Sequence, residues 1–147
     1  MSATARLAEL GIELPPVAAP AGAYLPAVRT GSLVYTAGQV PKDASPGKVG
    51  ADVSAEDAKA HARTCALQAL AAVDALVGLD AVVRVVKVVG FVASAPGFTG
   101  QPGVINGASE LLGEVFGEAG QHARSAVGVA ELPGGVPVEV ELIVEVR

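Results

Sequence analysis

The chain switches between two hydrophobic periods, and the switches mark its elements. Ala58, Ala62, Cys65, Ala66, Ala69, Val73 and Leu76 recur at helical spacing behind Ser54 and Asp57, and Gly78 stops the run. This predicts a long amphipathic helix with a capping-box-like start. Val82–Ala93 reads Val-Val-Arg-Val-Val-Lys-Val-Val-Gly-Phe-Val-Ala. So many β-branched side chains suit a pleated surface better than a helix, and a long strand is predicted. A second helix is predicted over residues 104–116, where Ile105, Leu111, Leu112, Val115 and Phe116 are apolar and Gly117 and Gly120 follow. Residues 23–30 and 33–37 predict two strands about a Gly31-Ser32 turn. Two more are predicted near the end, one opening at Arg124-Ser125 and one through Val138-Glu139-Val140-Glu141. Leu132-Pro133-Gly134-Gly135 joins them.

The resulting order, ββαβαββ, is that of a two-layer α+β domain with one mixed sheet and two helices on one face. A short helix over residues 5–10, ended by Gly11, precedes it, and Pro15, Pro16 and Pro20 then extend the chain. Residues 1–147 read as a single domain with residues 1–20 as an N-terminal extension. There are no repeats and no dividing linker.

Composition narrows the function classes. Hydrophobic residues make up 51% but aromatics only 3%, with no Trp, so the core must be built from Ala, Val and Leu. Small side chains bury less apolar area per residue, and a subunit interface is a natural place to bury more. A net charge of −5 and scattered basic residues argue against a nucleic-acid surface. Cys65 is alone, and His61 and His122 lack companions at ligand spacing, so neither a disulfide nor a metal site is expected. His61 reads as an exposed helix residue and Cys65 as core. The N-terminus is charged where a secretory signal is apolar, and the apolar stretch 81–92 is broken by Arg84 and Lys87. A cytoplasmic protein without membrane contact is expected.

Polar residues in the apolar C-terminal quarter are the candidate chemistry. Arg124 and Glu139 could serve one pocket, or Arg124 could be a surface ion-pair residue. Glu139 and Glu141 share a strand face, on which one reads as solvent-facing polarity or as a trimer-axis contact, or one is partnered by Arg124 directly. Tyr24 serves equally as a packing aromatic or a site residue, and Asn106 as a ligand contact or a residue shaping a helix start. The glycines from 97 to 103 lack the Gly-Lys-Ser/Thr ending of a phosphate loop.

Several of these residues stand in a recognisable pattern. Tyr24 precedes the first strand, Thr36-Ala37-Gly38-Gln39-Val40-Pro41 ends the second, and Asn106 lies near the start of the second helix. Arg124-Ser125 and Glu139 complete the set. From about residue 21 to 146 the chain resembles the reactive-intermediate deaminase family (Rid, or YjgF-type, also called endoribonuclease L-PSP-like). The resemblance implies a chorismate-mutase-like fold, a homotrimer and clefts between subunits. There enamine and imine intermediates such as 2-aminoacrylate would be hydrolysed to 2-oxoacids and ammonia without a cofactor. It also implies roles. Arg124, helped by the Gly38 N–H and Asn106, would hold the substrate carboxylate. Glu139 would be general base or proton relay, Tyr24 would close the pocket, and the Ala126 carbonyl would position water.

Two positions depart from the family pattern: Ala37 stands where Ser is usual and Ala126 where Cys is usual. They point to a divergent subgroup. The alternatives are a non-catalytic trimer that senses small carboxylates and an endoribonuclease or translation inhibitor. The acidic charge and the lack of a His pair count against the latter.

Overall fold

A computed structural model describes residues 1–147. The elements in chain order are α1 (Ala3–Leu10), β1 (Ala27–Thr30), β2 (Leu33–Thr36), α2 (Ala55–Val77), β3 (Val82–Ala93), α3 (Gln101–Phe116), β4 (Ala123–Val129) and β5 (Val138–Val146). One mixed sheet runs β1-β2-β5-β3-β4, with β3 and β4 parallel and the other pairs antiparallel. The two C-terminal strands are therefore not neighbours, since β3 lies between them. Three helices accompany the sheet, α1 packing on α3 as well as α2 and α3 on the sheet.

α1 and α2 begin where a serine caps a free N–H group, and α3 begins where a proline removes one. Ser2 Oγ accepts from the Ala5 N–H, so α1 starts two residues before the expected residue 5, and Gly11 ends it at φ 70°. Ser54 Oγ accepts from the Asp57 N–H at 3.0 Å. α3 starts at Gln101, three residues early, because Pro102 needs no N–H partner in a first turn. β1 is shorter than residues 23–30: Pro26 has no N–H for the ladder, and Tyr24 folds back to bond Gly22 at 3.0 Å.

β5 shows why the sheet has a covered and an open face. Val138, Val140, Leu142, Val144 and Val146 are buried under the helices, and Glu139, Glu141, Ile143 and Glu145 alternate with them on the other side. Ala58, Ala62, Cys65, Ala66 and Ala69 of α2 meet this valine layer and are all fully buried. Burial, and after it the charge of Glu139, pushes the Cys65 thiol up well beyond the ordinary thiol range. Leu76 leaves the stripe, 45% exposed, and His61 is half-buried rather than exposed. Small residues let the layers approach closely: a Cβ at Gly107 of α3 would lie 2.0 Å from the Lys59 carbonyl oxygen of α2. No helix is long and apolar enough to cross a membrane.

Candidate functional site

Three of the expected site residues come together on the open face. Tyr24, Gly38 and Glu139 line a cavity of about 700 Å³ whose apolar walls include Leu25, Val28, Tyr35 and Val40. Strand alternation turns Glu139 into it, since Val138 and Val140 must enter the core. Gln39 exchanges backbone hydrogen bonds with Val140, at 2.8 and 3.0 Å, and so holds the Gly38 segment along β5. On the helix side, Gln68 Nε2 donates to the Val40 carbonyl at 2.8 Å and secures the same segment. A Cβ on Gly38 would stand 2.1 Å from Glu139 Oε2, so glycine is what lets backbone and carboxylate meet. The Gly38 N–H makes no backbone hydrogen bond.

Glu139 takes part in none of the chain's four ion pairs. Burial first, and the like charge of Glu141 second, raise its pKa above the usual carboxylate range. Tyr24 Oη accepts the Ala21 N–H at 3.0 Å, which leaves its own proton free to donate into the cavity. Ala37, where the family usually has Ser, also lines this space.

Arg124 lies elsewhere. In the β3–β4 register it stands opposite Val88, which is fully buried beneath the helices, whereas Glu139 stands opposite Phe91 in the β3–β5 register. Residues 88 and 91 of a strand point to opposite faces. Arg124 and Glu139 therefore occupy opposite faces of the sheet within one chain, and no direct ion pair forms between Arg124 and either Glu139 or Glu141. Arg124 Nη1 donates instead to Asn106 Oδ1 at 2.7 Å and to Ser109 Oγ at 3.2 Å. Both Nη1 hydrogens are thereby used, and the Nε–Nη2 edge that matches a carboxylate is open. Asn106 does not cap or start α3; it is the sixth residue of the helix, and its amide oxygen orients the guanidinium. Ala126 is two residues along the same strand face, its methyl packed against the core.

Behind Arg124 is a connection that the sequence reading missed. Ser109 Oγ lies 2.9 Å from His122 Nε2, and His122 Nδ1 lies 2.6 Å from the Gly120 carbonyl oxygen. The signal was present as two spacings: Asn106 and Ser109 are three apart on a helix, and His122 and Arg124 two apart on neighbouring chain. Neither spacing shows from sequence alone that α3 lies over β4.

Comparison with known proteins bears on the family and the fold. Residues 16–146 match the family model described as Endoribonuclease L-PSP. Protein TCP17 of Trypanosoma cruzi is 48% identical over 149 residues, covering 97% of this chain and 93% of that protein. The crystal structure of Atu1372 from Agrobacterium tumefaciens is 45% identical, covers 99% of this chain and 92% of its own, and superposes with a TM-score of 0.90. E. coli TdcF, solved with bound serine, is 28% identical, covers 91% of this chain and 94% of its own, and has a TM-score of 0.60. With the model matched over most of its length and a relative nearly half identical throughout, the chain belongs to the endoribonuclease L-PSP, or YjgF-type, family.

Proposed function

We propose that the chain hydrolyses enamine and imine intermediates such as 2-aminoacrylate to 2-oxoacids and ammonia, without a cofactor, in clefts between the subunits of a homotrimer. The observation that carries this reading is the placement of Arg124 and Glu139. They are two uncompensated charges of opposite sign on opposite faces of one sheet. A cleft in which the Arg124 edge of one copy meets the Glu139 face of the next gives one substrate both. The serine bound in the TdcF structure, a small molecule with a carboxylate, is in keeping with such a site.

The chemistry asks little beyond these groups. The Nε–Nη2 edge of Arg124 grips the substrate carboxylate, with the Gly38 N–H and the Asn106 amide as further donors. An imine carbon is already electrophilic, so the remaining need is an oriented water and a proton path. Glu139, a base strengthened by burial, takes a proton from water as its oxygen bonds to the imine carbon. The C=N electron pair moves to nitrogen, which takes a proton from Tyr24 or from the newly protonated Glu139. Glu139 then passes the adduct's hydroxyl proton to the amine, and as the C=O forms the C–N bond breaks, releasing ammonia and leaving the 2-oxoacid. The Ala126 carbonyl is a further acceptor for the water.

The test generates 2-aminoacrylate with a lyase and follows 2-oxoacid release with and without the chain. Acceleration that disappears in Arg124→Ala and Glu139→Gln is the expected result. If wild type binds 2-oxoacids but accelerates no imine, the chain is a trimeric sensor of small carboxylates. The nuclease name of the family finds less support, since a net charge of −5 repels a polyanion.

A further inference from the structure

We propose that Ser109 and His122 are positioning residues for Arg124, forming a relay that begins at the Gly120 carbonyl and ends at the guanidinium. The proposal rests on the reading of Arg124 as a carboxylate anchor. It assigns roles to two side chains that the proposed hydrolysis leaves unused.

With a neutral His122 ring, each proton in the relay has one place to be. A carbonyl oxygen can only accept, so His122 Nδ1, 2.6 Å from Gly120 O, carries a hydrogen. In the neutral ring Nε2 is then an acceptor, and the Ser109 hydroxyl 2.9 Å away donates to it. With its proton committed, Ser109 presents only lone pairs to Arg124 Nη1, 3.2 Å away. Asn106 Oδ1 takes the other Nη1 hydrogen at 2.7 Å. Nη1 is thus clamped between acceptors from successive turns of α3, and the planar guanidinium can no longer swing about a single bond. The edge left free is the bidentate one.

His122 has a separate task. An unpartnered Ser109 hydroxyl can rotate its proton toward Arg124 and set donor against donor. By accepting that proton, His122 removes the wrong orientation. Neither Asn106 nor Ser109 carries a charge, so the clamp orders Arg124 without cancelling the charge that a carboxylate ligand needs.

The experiment is calorimetric titration of the whole protein with pyruvate and 2-oxobutyrate. Ser109→Ala should weaken binding about ten-fold, the order expected for one lost hydrogen bond to a charged group, with the number of sites unchanged. Ser109→Thr keeps the hydroxyl and should bind like wild type. His122→Ala should weaken binding too, and Ser109→Ala/His122→Ala should bind no worse than Ser109→Ala, because His122 acts only through Ser109. His122→Gln offers an amide oxygen near the Nε2 position and should recover much of the loss. A merely structural role predicts the reverse, fewer competent sites with an unchanged Kd. If Ser109→Ala and His122→Ala bind like wild type while Arg124→Ala does not bind, the relay is overturned and the anchor stands. Arg124→Ala binding like wild type, or a wild type that binds neither ligand, overturns the anchor and the relay with it.

Discussion

A methyl group on Gly38 would lie 2.1 Å from Oε2 of Glu139 and 2.9 Å from its Cδ, nearer than any real contact allows. The carboxylate is the far end of a flexible side chain, so it is the part that gives way. Gly38→Ala is therefore expected to fold and to melt close to wild type while its carboxylate is turned out of place. Imine hydrolysis should fall by about 10²-fold or more, the low end for a misplaced general base. Thermal melts beside 2-oxoacid release check this; a large loss of stability would show that the chain yields elsewhere.

The raised pKa of Glu139 has a consequence for stability. The native state holds the Glu139 proton more tightly than the unfolded chain, whose reference value is 4.5. Stability thus declines as pH rises through the window from 4.5 to the native value, and the penalty is complete above it. Glu139→Gln should be more stable than wild type near neutral pH, and its advantage should vanish as pH falls to 4.5. Urea denaturation at several pH values measures this. Wild-type hydrolysis should fail with acid at a midpoint above 4.5, because the base must be ionised.

The open sheet face carries Val28, Tyr35 and Val127, which are 51%, 44% and 44% exposed. A solvated face with so much apolar area is expected to be covered in solution. Light scattering at micromolar concentration should give a mass near three chains. Tyr35→Glu, which places a charge on that face, should yield smaller species that lack hydrolytic activity. A wild type that stays monomeric would remove the proposed cleft.

Gly107 meets backbone rather than a movable side chain, its Cβ position being 2.0 Å from the Lys59 carbonyl. Gly107→Ala must push α3 away from α2, at about 1–3 kcal/mol as judged from overpacked cores. Since α3 also carries Asn106 and Ser109, carboxylate affinity should fall along with the urea midpoint. A stable variant with normal affinity would mean that the helices separate without moving the anchor.

The sequence made the elements legible because their periods are strong: Val82–Ala93 is a strand over the residues expected, and Ser54 and Gly78 bound α2. The ends of β1 and α3 were less so, because Pro26 and Pro102 act through missing N–H groups that hydrophobic spacing does not register. The family and the pattern of Tyr24, Gly38, Asn106, Arg124 and Glu139 were also readable. What could not be read was the face on which each one sits. Arg124 and Glu139 are fifteen residues apart by number, and their opposition depends on β3 lying between β4 and β5, a property of strand order. The role of His122 was hidden likewise, since its partner Ser109 comes from another element.

β5 is the only strand bonded to both β2 and β3. Without it the sheet is two separate ribbons, a short hairpin of β1 and β2 and a parallel pair of β3 and β4, each of which can form from nearby segments. Joining them waits on the segment that enters from farthest along the chain, where loop-closure entropy is greatest. The same segment carries Glu139. A fluctuation that lifts the whole of β5 out of register divides the sheet and withdraws the base in one event. Amide exchange along β5 should accordingly follow global unfolding, and loss of the base should be as cooperative as loss of the fold.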